Sequence, residues 1–255
     1  MIASALYFFQ EKLLFLPTTL EQDYNYQFNH NFEELFLKTD ENTTINALHF
    51  KLENPKACLS DRQGVILYFH GNAGDLSRWG TIAEYFVDLN YDVLIMDYRT
   101  YGKSTGKLSE AALYSDAQFC YDYLLNHYAE KQITLHGRSL GTGIASYLAS
   151  KNNPKQLILE TPYYSILDVA KDRFPILPVK QLLKYHFPTH QYLLKTKCPI
   201  TIIHGTDDGV VPYASGKKLS ELHIENLNFI TVEGAGHNNL IEFEDYHKTI
   251  KAVLF

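Results

Sequence analysis

The sequence predicts an α/β fold, with a mostly parallel central sheet and helices on both of its faces. After about residue 64, short β-branched and aromatic runs alternate with amphipathic helical stretches, and a β-hairpin pattern precedes them. Such alternation places successive strands in parallel, joined by right-handed crossovers. At 255 residues the chain fits one large domain spanning residues 1–255, and we see no linker that would divide it.

The elements follow in chain order. Residues 35–38 and 45–51 form the hairpin, around a turn-prone Asp-Glu-Asn sequence at residues 40–42. The predicted buried strands cover residues 65–69, 91–96, 133–135, 157–159, 200–203 and 229–232. The predicted helices cover residues 76–89, 110–128, 140–151, 213–222 and 241–254.

One interval, residues 161–197, breaks this alternation. It carries four prolines and a helical patch over residues 179–187, and it is too long for an ordinary connection. We expect a lid inserted over the strand ends. A plain helical crossover with irregular flanks is the alternative.

Charge and cysteine content argue against several classes of protein. The net charge is −6 and the lysines are scattered, so no basic stripe is present to neutralise a nucleic acid, and we expect no nucleic-acid partner. The three cysteines, Cys58, Cys120 and Cys198, are odd in number and widely spaced. This pattern disfavours a disulfide framework or a zinc site.

The N-terminal segment, residues 1–16, is apolar and aromatic but is interrupted by Gln10, Glu11 and Lys12. A spanning helix needs about 20 consecutive apolar residues, so this segment is not predicted to cross a membrane as written. We expect a helix lying on the domain's own surface. The alternative is peripheral membrane contact through an interfacial helix.

Polar and glycine-rich sequences follow four of the predicted strands. The sequence HGNAG follows the first parallel strand and GRSLG the third, while HGTDDGVVP and GAGHNN follow the last two. Sites in such sheets lie beyond the carboxyl ends of the strands. These ends therefore offer a backbone N–H loop, a hydroxyl, a carboxylate and an imidazole at one edge.

These groups suit nucleophilic catalysis. A serine hydroxyl needs an adjacent base, and the base needs an acid to orient it. We expect Ser139 to be the nucleophile, His237 the base and Asp208 the acid; Asp207 and Glu160 are the rival acids. The amides of Leu140 and Asn72 are the expected oxyanion donors, with Ala73 as the second choice for the loop.

Five motifs occur in chain order: HGNAG, DYRTYGKS at residues 97–104, GRSLG, HGTDDGVVP and GAGHNN. Together they resemble the α/β-hydrolase superfamily, most closely its Bem46-like branch with ABHD13- and ABHD17-type relatives. The resemblance implies the triad Ser139, Asp208 and His237 and the oxyanion amides of Asn72 and Leu140. The chain departs from the pattern at Thr100 and Thr142, where the family usually has glycine. We expect Asp97 and Arg99 to form an ion pair or loop tether near the site.

The sequence therefore predicts a serine hydrolase acting on a small-molecule ester or thioester substrate, with no cofactor and no metal. A serine peptidase is the first alternative, and Glu160 or Asp168 are the candidates to hold a substrate's α-amine. A metal site from His204, Asp207 and Asp208 is disfavoured by its spacing. A non-catalytic binding module on the same scaffold is the remaining alternative.

Overall fold

The structure, a computed structural model, describes residues 2–52 and 63–255. Within these ranges one sheet has eight strands, in the spatial order β8-β7-β6-β5-β3-β4-β2-β1. They are β1 Phe32–Asp40, β2 Thr43–Phe50, β3 Val65–Phe69, β4 Asp92–Met96, β5 Ile133–Arg138, β6 Gln156–Glu160, β7 Ile200–Gly205 and β8 Leu227–Val232. Strand β2 is antiparallel to both neighbours, and the pairs from β4 to β8 are parallel.

The helices connect these strands and flank the sheet. They are α1 Ile2–Leu14, α2 Leu76–Val87, α3 Glu110–Leu125, α4 Leu140–Ala149, α5 Ile166–Arg173, α6 Val179–Leu182, α7 Thr189–Leu193, α8 Tyr213–Ser220 and α9 Glu244–Leu254. Helices α2 and α3 begin where the side chains of Asp75 and Ser109 accept hydrogen bonds from the first-turn amides.

The central strands of the sheet, β3 to β7, are buried on both faces. In β3, Val65, Leu67 and Phe69 pack into the core that contains α3 and α4 residues, while Ile66 and Tyr68 pack against α2 and α9 residues. This two-residue alternation is the pleat of the strand. Because both faces are covered, the functional groups are confined to the sheet edges and loops. The predicted fold class is confirmed.

The interval 161–197 differs in detail from its prediction. It contains α5, α6 and α7, and the helical patch predicted over residues 179–187 ends at Leu182. The reason is a tertiary contact, because the Lys184 amide donates to Oε1 of Gln10 at 2.8 Å instead of continuing the helix. That the interval acts as a lid stays a prediction.

Helix α1 lies against this interval. The Gln10 side chain is buried, and its Nε2 donates to the Leu182 carbonyl at 3.0 Å. The Tyr185 hydroxyl donates to Glu11 at 3.0 Å, and the rings of Phe15 and Tyr185 meet edge to face. The helix thus lies on the domain's own surface, as expected. Membrane contact through residues 1–16 stays a prediction.

Across residues 2–52 and 63–255, the structure contains no helix with the length and apolar character that crossing a bilayer requires.

Cys120 and Cys198 are buried free thiols, and burial raises the pKa of the Cys198 thiol to about 11. Cys58 lies outside the described residues.

We predict that Gln10→Met lowers the free energy of unfolding by about 1–3 kcal/mol, because it leaves the Leu182 carbonyl and the Lys184 amide without their partner. Urea denaturation measures the change. The matched control is Gln181→Met, at an exposed position of α6. Equal stability of the two variants would contradict the structural role of Gln10.

Candidate active site

Ser139 lies at a sharp turn between β5 and α4, in a strained conformation. Its φ is 51° and its ψ is −115°, a backbone region that residues with a Cβ rarely occupy. The flanking glycines explain how the turn fits. A Cβ on Gly137 would lie 2.6 Å from the Gly141 carbonyl oxygen, and one on Gly141 would lie 2.1 Å from the Phe69 carbonyl oxygen. The glycines therefore allow helix α4 to pack directly against β3 and β5.

The structure brings Ser139, His237 and Asp208 into one hydrogen-bonded series. His237 Nε2 lies 2.9 Å from Ser139 Oγ, and His237 Nδ1 lies 2.8 Å from Asp208 Oδ2. Because a carboxylate only accepts hydrogen bonds, Nδ1 carries the proton and Nε2 presents its lone pair to the hydroxyl. The imidazole is thus in the tautomer that a general base requires.

Asp208 is held by four donors. Its Oδ1 accepts the amides of Val210 and Val211, each at 2.8 Å. Its Oδ2 lies 3.2 Å from Nε2 of the fully buried His204, besides its bond to His237. Burial of the carboxyl opposes ionisation, but the hydrogen bonds from His204 and His237 outweigh it and hold the Asp208 pKa below its usual range. The group is therefore a carboxylate at neutral pH.

The sequence did not reveal the contact that His204 makes with the acid of the triad. Its Nε2 contacts Asp208 Oδ2 and lies 3.1 Å from the Val211 carbonyl. Its Nδ1 faces Gly216, where a Cβ would lie only 2.1 Å away. The signal that could have identified it is the four-residue spacing between His204 and Asp208 in HGTDDGVVP.

Leu140 and the HGNAG loop, which carry the predicted oxyanion donors, lie beside Ser139. Leu140 is the first residue of α4, so its amide is among those that have no partner within the helix. In the HGNAG loop, a Cβ on Gly71 would lie 3.7 Å from Ser139 Cβ. His70 Nδ1 donates to the Gly71 carbonyl at 2.6 Å. Since the carbonyl and N–H of a trans peptide point in opposite directions, this bond fixes the direction of the Asn72 amide.

The N-terminal segment supports the same HGNAG loop, a contact that could not be predicted from the sequence. Residues Leu16–Pro17 pair in parallel with Ala73–Gly74. The Leu16 amide donates to the Asn72 carbonyl at 2.8 Å, and the Tyr101 hydroxyl donates to the same oxygen at 2.7 Å. The position of the HGNAG loop therefore depends on the residues that follow α1.

The rival acids lie elsewhere. Glu160 is buried, with His136 Nε2 at 3.1 Å and a hydrogen bond from the Tyr246 hydroxyl. Burial opposes its ionisation, but the neighbouring His136 and Arg138 outweigh it and keep the Glu160 pKa low. Asp207 is exposed beside Thr206. In the part of the chain that the structure describes, no group of three His, Cys, Asp or Glu side chains is arranged to hold a metal ion.

The loop after β4 decides between the two expectations for Asp97 and Arg99, because the two side chains do not pair with each other and instead tether the loop to other elements. Asp97 Oδ1 lies 3.3 Å from His70 Nε2, and its Oδ2 accepts the Leu76 amide. Arg99 instead binds Asp116 through two donors, at 2.7 and 2.8 Å. The two side chains leave the loop toward different elements, so Asp97 braces the HGNAG loop and Arg99 anchors α3.

Thr100 and Thr142, the two departures from the family motifs, differ in how they fit the structure. Thr100 has φ 72°, in the left-handed region that favours the glycine usually found there, and its buried Oγ1 has no hydrogen-bond partner among the described residues. Thr142 fits within α4, because its hydroxyl donates to the Ser139 carbonyl at 2.6 Å. Of these two threonines, only Thr100 is therefore strained.

The fold and the serine turn define this chain as an α/β hydrolase. Residues 60–196, more than half of the chain, match the hydrolase family described as serine aminopeptidase, S33, and the chain belongs to that family. The matched range includes Ser139 and ends before Asp208 and His237.

Similar proteins carry hydrolase names. A putative alpha/beta hydrolase of Acanthamoeba polyphaga mimivirus is 30% identical and covers 91% of this chain and 88% of its own length. The lysophosphatidylserine lipase ABHD12 of Danio rerio is 30% identical over 82% of this chain, and protein bem46 of Schizosaccharomyces pombe is 33% identical over 73%. The resemblance to the Bem46-like branch is confirmed.

The coverage of some relatives is partial. The chain spans 62% of the length of the lipase, 64% of bem46 and 63% of an uncharacterized protein of Mycobacterium tuberculosis that is 32% identical over 68% of this chain. Among solved structures, the Pyrococcus furiosus esterase Pf2001 superposes with a TM-score of 0.71 over 94% of this chain and 98% of its own, at 18% identity. At that identity the likeness concerns the fold.

We predict that Thr100→Gly raises the free energy of unfolding by about 1 kcal/mol, because left-handed strain costs a residue with a Cβ roughly 1–2 kcal/mol and glycine's greater unfolded-state entropy returns part of the gain. Urea denaturation measures it. Thr100→Ala is the matched control, since it removes the unpaired hydroxyl but keeps the Cβ. A glycine variant less stable than the alanine variant would contradict the strain.

Proposed function

We propose that this chain is a serine hydrolase that cleaves a carboxylic ester or thioester through an acyl-enzyme. The observation that carries the proposal is the series Asp208, His237 and Ser139, joined by hydrogen bonds of 2.8 and 2.9 Å at a strained turn. Membership of a hydrolase family and the lipase name of a similar protein support hydrolysis as the class of reaction.

The proposed mechanism uses each group in turn. His237 Nε2 accepts the proton of Ser139 as Oγ attacks the acyl carbon, and Asp208 stabilises the imidazolium that forms. The developing oxyanion binds the amides of Leu140 and Asn72, at the positive end of α4. His237 then protonates the leaving group, and a water molecule attacks the acyl-enzyme by the same route.

The peptidase alternative requires an anionic side chain for a substrate's α-amine. Glu160 is buried with His136 and Tyr246. Asp168 accepts hydrogen bonds from Ser215 at 2.7 Å and from Lys218 at 2.6 Å. Both candidates already have partners, which favours the ester reaction. The complete hydrogen-bonded series argues against the non-catalytic alternative.

We predict that a fluorophosphonate probe labels the chain at Ser139, and that Ser139→Ala abolishes labelling and lowers kcat for ester hydrolysis by roughly 10⁴-fold or more, since the nucleophile is lost. Mass spectrometry of the labelled peptide and esterase assays measure both effects. Ser220→Ala, on α8, is the control and keeps full labelling. A labelled Ser139→Ala protein would refute the assignment.

A second prediction separates esters from peptides. We expect p-nitrophenyl acyl esters to be hydrolysed with a kcat/KM at least about 100-fold above that for aminoacyl anilides, because both candidate acids for the α-amine, Glu160 and Asp168, already have partners. The comparison uses one enzyme preparation and both substrate series. Faster cleavage of the anilides would replace the esterase proposal by the peptidase.

A further inference from the structure

Arg138, the residue directly before the nucleophile, carries a buried guanidinium beside the site. It is the last residue of β5, and its side chain is only 8% exposed. Residues two apart in a strand share a face of the sheet, so Arg138 lies on the same face as His136. A guanidinium keeps its charge when it is buried, and its donors therefore need partners. The partners of Arg138 all belong to elements that build the site.

The first partner is the main chain of the proposed base. Arg138 Nη2 donates to the His237 carbonyl oxygen at 3.3 Å. His237 lies in the loop after β8, outside any helix or strand, and within residues 2–52 and 63–255 its main chain makes no other hydrogen bond. The residues before it are held separately, because the Ala235 carbonyl accepts the Asp207 amide at 2.9 Å. The hydrogen bond from Arg138 thus connects the main chain of the base to the strand that carries the nucleophile.

The other two partners hold Ser139 and the HGNAG loop. Arg138 Nε lies 3.8 Å from Glu160 Oε2, and the Glu160 carbonyl accepts the Ser139 amide at 2.9 Å. The guanidinium carbon of Arg138 lies over the Trp79 ring, 5.3 Å from its centroid, and Trp79 Nε1 donates to the Ala73 carbonyl at 2.8 Å. One side chain therefore contacts the base and the residues that fix both the nucleophile and the HGNAG loop.

We propose that Arg138 is a positioning residue that sets the distance between His237 and Ser139. The inference rests on the proposed hydrolysis at Ser139. A guanidinium is planar and has five N–H donors, so it meets a carboxylate, a carbonyl and an aromatic ring at once, whereas the ammonium of lysine is a compact point charge. Displacing a catalytic group by about 1 Å can lower the rate by about 100-fold. Loss of Arg138 is therefore expected to act on the reaction steps that use His237.

The test measures p-nitrophenyl acetate hydrolysis and the rate of fluorophosphonate labelling for the wild type, Arg138→Met and Arg138→Lys. Arg138→Met is expected to lower kcat and the labelling rate by about 10- to 100-fold while KM stays within about twofold, because the base moves and the substrate loses no contact. Arg138→Lys keeps the charge beside Glu160 without the fork that also reaches His237. Its kcat is expected to lie between those of the other two proteins.

A spectroscopic measurement separates positioning from a general loss of structure. The proton NMR signal of the His237 Nδ1–H lies far downfield because of its hydrogen bond to Asp208. In Arg138→Met this signal is expected to weaken or broaden, since the imidazole is no longer held at one position.

Arg99→Met is the matched control. Arg99 is a similarly buried arginine paired with the buried carboxylate of Asp116, and its other hydrogen bonds go to Asp40 and Lys107. This variant is expected to keep the wild-type kcat within about twofold and the His237 signal unchanged, because it removes a buried ion pair of the same kind away from the base.

Equal kcat values for Arg138→Met and Arg99→Met, or a loss of activity that lies in KM, would overturn the positioning role alone. Where Arg138→Met does not fold, a wild-type kcat and His237 signal in Arg138→Lys would overturn it. Absence of turnover and labelling in the wild type would reject the proposed hydrolase, and the positioning role with it.

Discussion

The close packing of α4 against β3 and β5 is the constraint on which the rest of the site depends. Glycines 137 and 141 allow backbone contacts that any Cβ would prevent, and Ser139 is held between them in a conformation that it would not adopt in a free chain. Because backbone contacts hold this turn, the direction in which the Ser139 side chain leaves the chain is set by the backbone. The hydrogen bond to His237 Nε2 then orients the hydroxyl.

The second requirement of the site is that Asp208 stays ionised although it is buried. Taking a carboxylate out of water is costly, and Asp208 keeps its charge only because four donors converge on it. Two of these donors are backbone amides and one is the buried His204, so three of the four are in place without His237. The carboxylate that they hold accepts the Nδ1–H of His237 and so determines its tautomer.

The central sheet and the triad could be predicted because their signals are local. Apolar periodicity marks each strand, and a short motif follows each functional strand end, so chain order alone indicated which groups meet at the sheet edge. The contacts of α1 could not be predicted, because Gln10 and Lys184 are 174 residues apart and neither lies in a motif. For Asp97 and Arg99 the sequence left an ion pair and a loop tether open for the same reason, since their partners, His70 and Asp116, lie in other segments of the chain.

These long-range contacts give the N-terminal segment a place in the architecture of the site. Its helix packs on the interval 161–197 through Gln10, and its two-residue strand at Leu16–Pro17 pairs with the HGNAG loop. A displacement of α1 therefore acts on the interval 161–197 and on the HGNAG loop together, because the two contacts are separated by only a few residues of chain. Within α1 the contacts that hold the helix on the domain are those of Gln10 and Glu11, while Phe9 and Leu13 are exposed.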